Sequence, residues 1–417
     1  MKFNLLSTVL LSLLLVPLSL AAPTYVNGVE SVGAAYTMTN QPSGNYLVVF
    51  SIGKDGKVAF SHVLPTEGVG AQGIDAPIGD SEFSQGSIQV HYGKHLLVNS
   101  NLGSSTLTLW RVDPENPINV SMIGKPVASG GNFPNSVTFN SAGDRLCASN
   151  TGTKNGLMCF FVDTVKGLIP IKNTFRPYGI LEQTVPATGP MNSASHLKFS
   201  DDDKQLHLSA KGYDAFKTRG FVATWDVDLC NDNPSVSQNN SRIYTDQIGL
   251  RPFGMTYING RNAIVTADPF IGMDIFDLDK GTALAVPLPN NGAHCWVMYN
   301  KKTDRYYVID ANGSTVTEAF IDISQDVIRG AVTKRYPKMA NSYLADPDMV
   351  EIGDKQYLMY LGPGQLVLYV DEIRAAGDIR PVQVFNLNTV HDRAGVPIDK
   401  YHTNGFITYL NSLYAPK

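Results

Sequence analysis

The sequence predicts an all-β fold, a seven-bladed β-propeller, and three observations carry that prediction. The stretch 93–113 (GKHLLVNSNLGSSTLTLWRVD) has an apolar run, a turn rich in Asn, Gly and Ser, a second apolar run and a closing Val-Asp. Fifty residues later 143–163 (GDRLCASNTGTKNGLMCFFVD) repeats it without a gap, so that Leu96 meets Leu146, Leu107 meets Leu157 and Val112-Asp113 meets Val162-Asp163. A hairpin signature recurring at this period falls in the range of propeller blades. The second observation is that further hairpins end at Val227-Asp228, Leu278-Asp279, Ile321-Asp322 and Val370-Asp371, each introduced by one short strand. The third is composition: 19 Tyr and 18 Phe with only 17% charged residues suit sheets stacked face to face.

Taken in order, the chain opens with Lys2, an apolar run from Leu5 to Val16, and Ser19-Leu20-Ala21 before Ala22-Pro23. This pattern predicts a secretory signal at 1–21, leaving 22–417 as a single propeller domain. The run is too short for a membrane anchor and lacks a basic flank after it. No later stretch is long and apolar enough to span a bilayer. The chain is therefore expected to be secreted, either released or retained at a cell wall.

The first hairpin joins 34–40 (AAYTMTN) to 45–52 (NYLVVFSI) across the turn 41–44, and no strand precedes it. The introducing strands of the later blades are 87–92 (SIQVHY), 136–140 (SVTFN), 196–200 (HLKFS), 254–258 (GMTYI), 296–300 (WVMYN) and 349–352 (MVEI). The spacing from Asp163 to Asp228 is the longest, and insertions at 184–192 and 213–218 account for it. At the C-terminus 404–411 (NGFITYLN) resembles an introducing strand and is expected to complete the N-terminal blade. Such closure removes exposed sheet edges. Two β-sandwich domains would need a linker with a shift in composition, and none occurs.

Three sequons, at Asn119 (NVS), Asn239 (NNS) and Asn312 (NGS), become expected glycan sites once the chain is secreted. Cys147 and Cys159 lie symmetrically about Thr153, so the hairpin sets them opposite each other and an oxidising compartment predicts a cross-strand disulfide. Two buried thiols are the alternative, because the ungapped alignment puts Leu97 and Leu109 there in the preceding copy. The spacing of Cys230 and Cys295 gives their pairing no support. A formal charge of -4 leaves no footprint for nucleic acid or an anionic membrane. Asp201-Asp202-Asp203 lacks the ligand spacing of a calcium loop, no His pair has zinc-helix spacing, and no GxSxG elbow or phosphate-binding glycine loop occurs. Neither a metal nor a cofactor is expected.

The segments GAAYTMTNQPSGNYLVVFSIGKDGKV, SQGSIQV and SGGNFPNSVTFNSAGDRLCASNTG resemble the lactonase-type seven-bladed propellers, a family that includes 6-phosphogluconolactonases, fungal carboxymuconate cyclases and secreted fungal glycoproteins similar to them. The resemblance runs in weaker form from about Val32 to the C-terminus. It implies lactone opening or closing by a His, a Glu and Arg residues in a central cleft. Here the pattern is broken. Phe133-Pro134-Asn135 stands at the family's His-Pro-His, and Gly189-Pro190, an insertion and Ser195-His196-Leu197 stand at its Gly-Pro-Arg-His-Leu. Ala210-Lys211 falls at its Glu and Ala267-Asp268 near its Arg, so only His196 carries over.

Propeller geometry gives a second route to a site. The segments leading into the inner strands and the turns between the next two strands share one face and converge on the channel mouth. The lead-ins supply Gln85, Asn135, His196, Arg251, His294, Asp348 and His402, and the turns supply Asn99, Asn101, Asn150, Lys211, Asp268 and Asp310. If the site is catalytic, Arg251 would hold a carboxylate and His196 or His294 would move a proton. The expectation is a monomer that binds a small anionic or carbohydrate ligand, or a host or cell-wall surface. An active lactonase or muconate cyclase is the alternative.

Overall fold

The computed structural model describes residues 25–26, 28–229, 231, 233–324 and 328–416; the expected signal segment and Cys230 lie outside the described residues. Seven antiparallel sheets follow one another along the chain. Their innermost strands are Asn404–Leu410, Ile88–His91, Pro134–Phe139, Ala194–Phe199, Met255–Tyr257, His294–Asn300 and Ala345–Ile352. The C-terminal strand pairs antiparallel with Val29–Met38 of the first blade, from Met38 opposite Asn404 to Gly33 opposite Leu410. The ring thus closes as the sequence predicts, and the first blade's open edge is covered. A short helix, Asn388–Ala394, precedes the closing strand and has no counterpart in the sequence expectations.

Both faces of each blade are buried because successive side chains of a strand point to opposite sides. In the second blade Leu97, Trp110 and Val112 pack on Ala34, Tyr36, Leu47 and Val49 of the first. On the other face Leu96, Val98, Leu107 and Leu109 meet Val137, Leu146, Ala148 and Phe160 of the third.

This packing corrects the ungapped repeat. Leu96 faces the third blade whereas Leu146 faces back toward the second, so the two are not equivalent. Leu97, packed on the first blade, is the counterpart of Leu146. The turn between Asn101 and Thr106 has four residues and that between Asn150 and Gly156 has five. The extra residue shifts the register of the preceding strand by one, which sends every side chain to the other face. Cys147 therefore corresponds to Val98, the residue opposite Leu109, and not to Leu97. The cross-strand prediction holds regardless: Cys147 pairs with Cys159 in register and the two form a disulfide. Cys295 is a buried free thiol.

Four inner strands begin earlier than the sequence suggests, at Pro134, Ala194, His294 and Ala345. In five blades the register shifts near the first residues of the inner strand, between Thr37 and Met38, Ser149 and Asn150, Ala194 and His196, His294 and Trp296, and Ala345 and Asp348. Bulges of this kind re-aim the residues beside them. They carry Asn135, His294 and Asp348 within strands rather than on loops, as the sequence already had His196.

Candidate functional site

The mouth on which the lead-in residues converge is roofed. The connection between the first and second blades crosses it, with Asp80, Ser81, Glu82, Phe83 and Ser84 all buried. Four blades hold this strap. Ser81 Oγ donates to Asn404 Oδ1 at 2.7 Å, Lys211 Nζ donates to the Phe83 carbonyl at 2.6 Å, Trp296 Nε1 donates to the Ser84 carbonyl at 3.0 Å, and Ser84 Oγ donates to the Asn135 carbonyl at 2.5 Å. Phe83 stacks on Phe133 with ring centroids 6.3 Å apart. The strap's own Asp80 and Glu82 and the inner-strand Asp346 form a group of three buried carboxyls. Burial pushes Asp80 up to about 7 against the pull of Lys211, drives Glu82 well above its usual range with Asp346 adding to the effect, and lifts Asp346 to about 6. Burial likewise lowers Lys211 to about 7.

Below the roof the channel holds a polar cavity of about 260 Å³. Its wall includes Gln85, Gln89, His196, Lys198, Thr256 and Asp348. Gln85 Oε1 is buried without a hydrogen-bond partner. His196 Nδ1 accepts the backbone N–H of Met255 at 3.1 Å, so its proton rests on Nε2, and burial lowers its pKa to about 3. Gly86 makes this approach possible: its φ is +89°, and a Cβ there would meet Gln89 Nε2 at 3.1 Å and His196 Nε2 at 3.3 Å. Asp348 is spoken for. Its Oδ2 accepts from the Thr408 backbone N–H at 2.7 Å and the Thr408 hydroxyl at 2.5 Å, its Oδ1 from the Met349 N–H at 2.9 Å, and burial raises it to about 6.

Lys198 differs from every other charge in the channel. Its ammonium lies 5.6 Å from the centroid of the Tyr257 ring, and no carboxylate oxygen among the described residues comes within ion-pair distance. Burial lowers its pKa, with Asp201 opposing at longer range. Lys198 also lines two further clefts, of about 790 and 310 Å³, that reach the turns carrying Ser141, Asp201 and Asn259. With the other mouth roofed, the free approach to the channel is from this turn face.

Of the thirteen residues expected at the mouth, the structure brings Gln85, His196 and Asp348 to the cavity. The others are built into the frame. Asn99 accepts from Trp110 Nε1 at 2.8 Å, Asn101 bonds Asn45, Thr66 and Thr108, and Asn150 bonds Ser129 and Gly156. Asn135 donates to the Ala194 carbonyl at 2.8 Å, and Lys211 holds the strap. Asp268 accepts from the Phe270 and Ile271 amides, Asp310 from those of Gly292, Ala293 and Gly313. His294 is enclosed, with Nδ1 2.6 Å from Asn291 Oδ1 and Nε2 3.1 Å from Thr317 Oγ1. Arg251 pairs with Asp214 at 3.5 Å and lies over Phe270, away from the channel. His402 pairs with Asp399 at 3.0 Å. Among the described residues no three of His, Cys, Asp and Glu converge at metal-ligand spacing.

Sequence reasoning missed Lys198, Gln89 and Thr256 because they lie inside or beside strands assigned wholly to packing. A signal existed: in HLKFS a lysine interrupts an apolar strand. An inner propeller strand has an edge on the channel, where such a charge can be accommodated.

No family model and no curated protein matches the sequence. Solved structures do resemble the fold. A candidate 6-phosphogluconolactonase from Bacteroides uniformis matches with a TM-score of 0.62 at 12% identity, covering 91% of this chain and 100% of its own. One from Bacteroides fragilis matches at 0.60 and 11%, covering 93% and 100%. A functionally unknown protein from Desulfotomaculum acetoxidans matches at 0.58 and 13%, covering 92% and 100%. Identities this low speak for the fold alone, a seven-bladed propeller.

Proposed function

We propose that this chain is a secreted glycoprotein that binds a small carboxylated sugar or polyol in its central channel, reached from the turn face. The carrying observation is Lys198, a half-buried ammonium with no carboxylate at ion-pair distance. A partly desolvated cation gains most from an anion that completes its pairing. Around it, Gln85 Oε1 is an unused acceptor and the Nε2–H of His196 a donor, a set suited to ligand hydroxyls. The cavity lies near the low end of the size range of ligand sites, which favours a ligand of about one sugar ring. Secretion is supported by the apolar leader and the Cys147–Cys159 disulfide, and glycosylation by the exposure of Asn119, Asn239 and Asn312.

The second reading is lactone hydrolysis or muconate cyclisation. It rests on the fold likeness and on His196 and Asp348 sharing one cavity. Against it, an imidazole whose Nδ1 is occupied and whose pKa is about 3 is a donor rather than a base at neutral pH. Incubation with lactones, aldonates, hexuronates and muconates, followed by both calorimetry and product analysis, separates the two. Saturable binding without turnover is expected. Turnover that disappears in His196→Ala would reverse the assignment.

A further inference from the structure

The fourth blade departs from the repeat at the insertions 184–192 and 213–218, and the fold brings the two together. Asn192 from the first and Phe216, Lys217 and Thr218 from the second line one groove of about 630 Å³ between segments of the third and fourth blades. It is separate from the central channel and shares no lining residue with it.

Two properties of the groove point the same way. Its apolar lining includes Leu181, Phe216, Tyr244 and Ile248, with fractional exposures of 74, 47, 48 and 49%. Large apolar side chains clustered and left in water mark interaction sites, whereas scattered ones do not. Its polar lining is cationic. Lys217 and Arg219 are exposed and have no carboxylate at ion-pair distance among the described residues. Arg242 is fixed, its guanidinium donating to the Tyr178 carbonyl at 2.7 Å and lying 4.4 Å from the centroid of the Phe221 ring. A fourth cation, Lys211, also reaches the lining but is engaged by the Phe83 carbonyl. Against these four cations the lining holds one acid, Glu182. The nearby Asp214 is engaged by Arg251.

We propose that this groove binds a single-chain amphipathic anion, an aliphatic body carrying one carboxylate. The apolar side chains cover the body and Lys217 and Arg219 receive the head. The volume is within the range of ligand sites and accommodates a chain of this kind. Charge complementarity selects an anion over a neutral or cationic amphiphile.

The probe is dodecanoate below its micelle concentration, titrated calorimetrically into the full chain. Saturable binding at one site is expected, with dodecyltrimethylammonium and dodecanol at least tenfold weaker. Phe216→Ala and Arg219→Ala, both at exposed positions that leave the fold intact, are each expected to weaken dodecanoate at least tenfold. Lys198→Met in the channel should leave dodecanoate binding unchanged. The proposal is overturned by absence of saturation, by equal binding of the cationic amphiphile, by wild-type affinity in both groove variants, or by binding that appears only with micelles, which would indicate adsorption to a lipid-like surface. Because Lys198→Met reports on the channel alone, failure here is distinguishable from failure of the channel ligand.

Discussion

Met255 donates its backbone N–H to Nδ1 of His196 at 3.1 Å, joining the inner strands of the fourth and fifth blades and fixing the tautomer of a histidine that lines the channel. A proton on Nδ1 would break this bond and charge a buried ring. Burial accordingly lowers the pKa to about 3.

The first prediction follows from that shift. Between about pH 3 and 6.5 the unfolded chain binds a proton at this position and the folded chain does not, so this histidine makes stability fall as pH drops below about 6.5 and has no effect above it. Urea midpoints of wild type and His196→Gln, compared from pH 7.5 to 4.5, should show the wild type losing stability faster on acidification. Parallel curves would contradict the lowered pKa of the buried ring.

The roof yields the second. Trp296→Phe removes the donor to the Ser84 carbonyl, leaving a buried acceptor unpaired and the ring's volume partly unfilled. A loss of about 1–3 kcal/mol is expected for the acceptor alone. Denaturant unfolding measures it, and hydrogen exchange should show the added opening at residues 80–87.

Closure yields the third. Truncation after Thr403 removes the strand paired to Val29–Met38 and bares the edge of a strand buried on both faces. The truncated chain is expected to aggregate or to lose its cooperative melt, read by size-exclusion chromatography and scanning calorimetry.

The disulfide yields the fourth. Replacing Cys147 and Cys159 together by Ala opens a short hairpin loop and is expected to cost about 2–3 kcal/mol. Intact-mass analysis of the secreted wild type should at the same time show the bridged form, a start at Ala22 and glycans on Asn119, Asn239 or Asn312.

Much of the frame was legible before the structure. The resemblance of 404–411 to the introducing strands identified the closing strand, and the symmetry of Cys147 and Cys159 about Thr153 identified the bridge. The slip at Leu96 and Leu146 shows the limit of an ungapped comparison: one extra turn residue is invisible in the match yet exchanges the faces of a strand. The site was legible in part. Propeller topology does bring Gln85, His196 and Asp348 together, but the strap that roofs the mouth has no periodicity to announce it, and its buried Asp80 and Glu82 read in sequence as ordinary loop residues. Lys198 was hidden by the opposite error, a functional charge inside a strand credited only to packing.

The central claim, that Lys198 makes the channel an anion site, is tested most directly by titrating glucuronate, gluconate and uncharged glucose into wild type and Lys198→Met. The account predicts saturable binding of at least one of the two acids to the wild type, at least tenfold weaker binding of glucose, and at least a tenfold loss of acid affinity in a Lys198→Met protein of unchanged melting temperature. Binding of the acids that survives Lys198→Met unchanged, or no binding of either acid to the wild type, would contradict it.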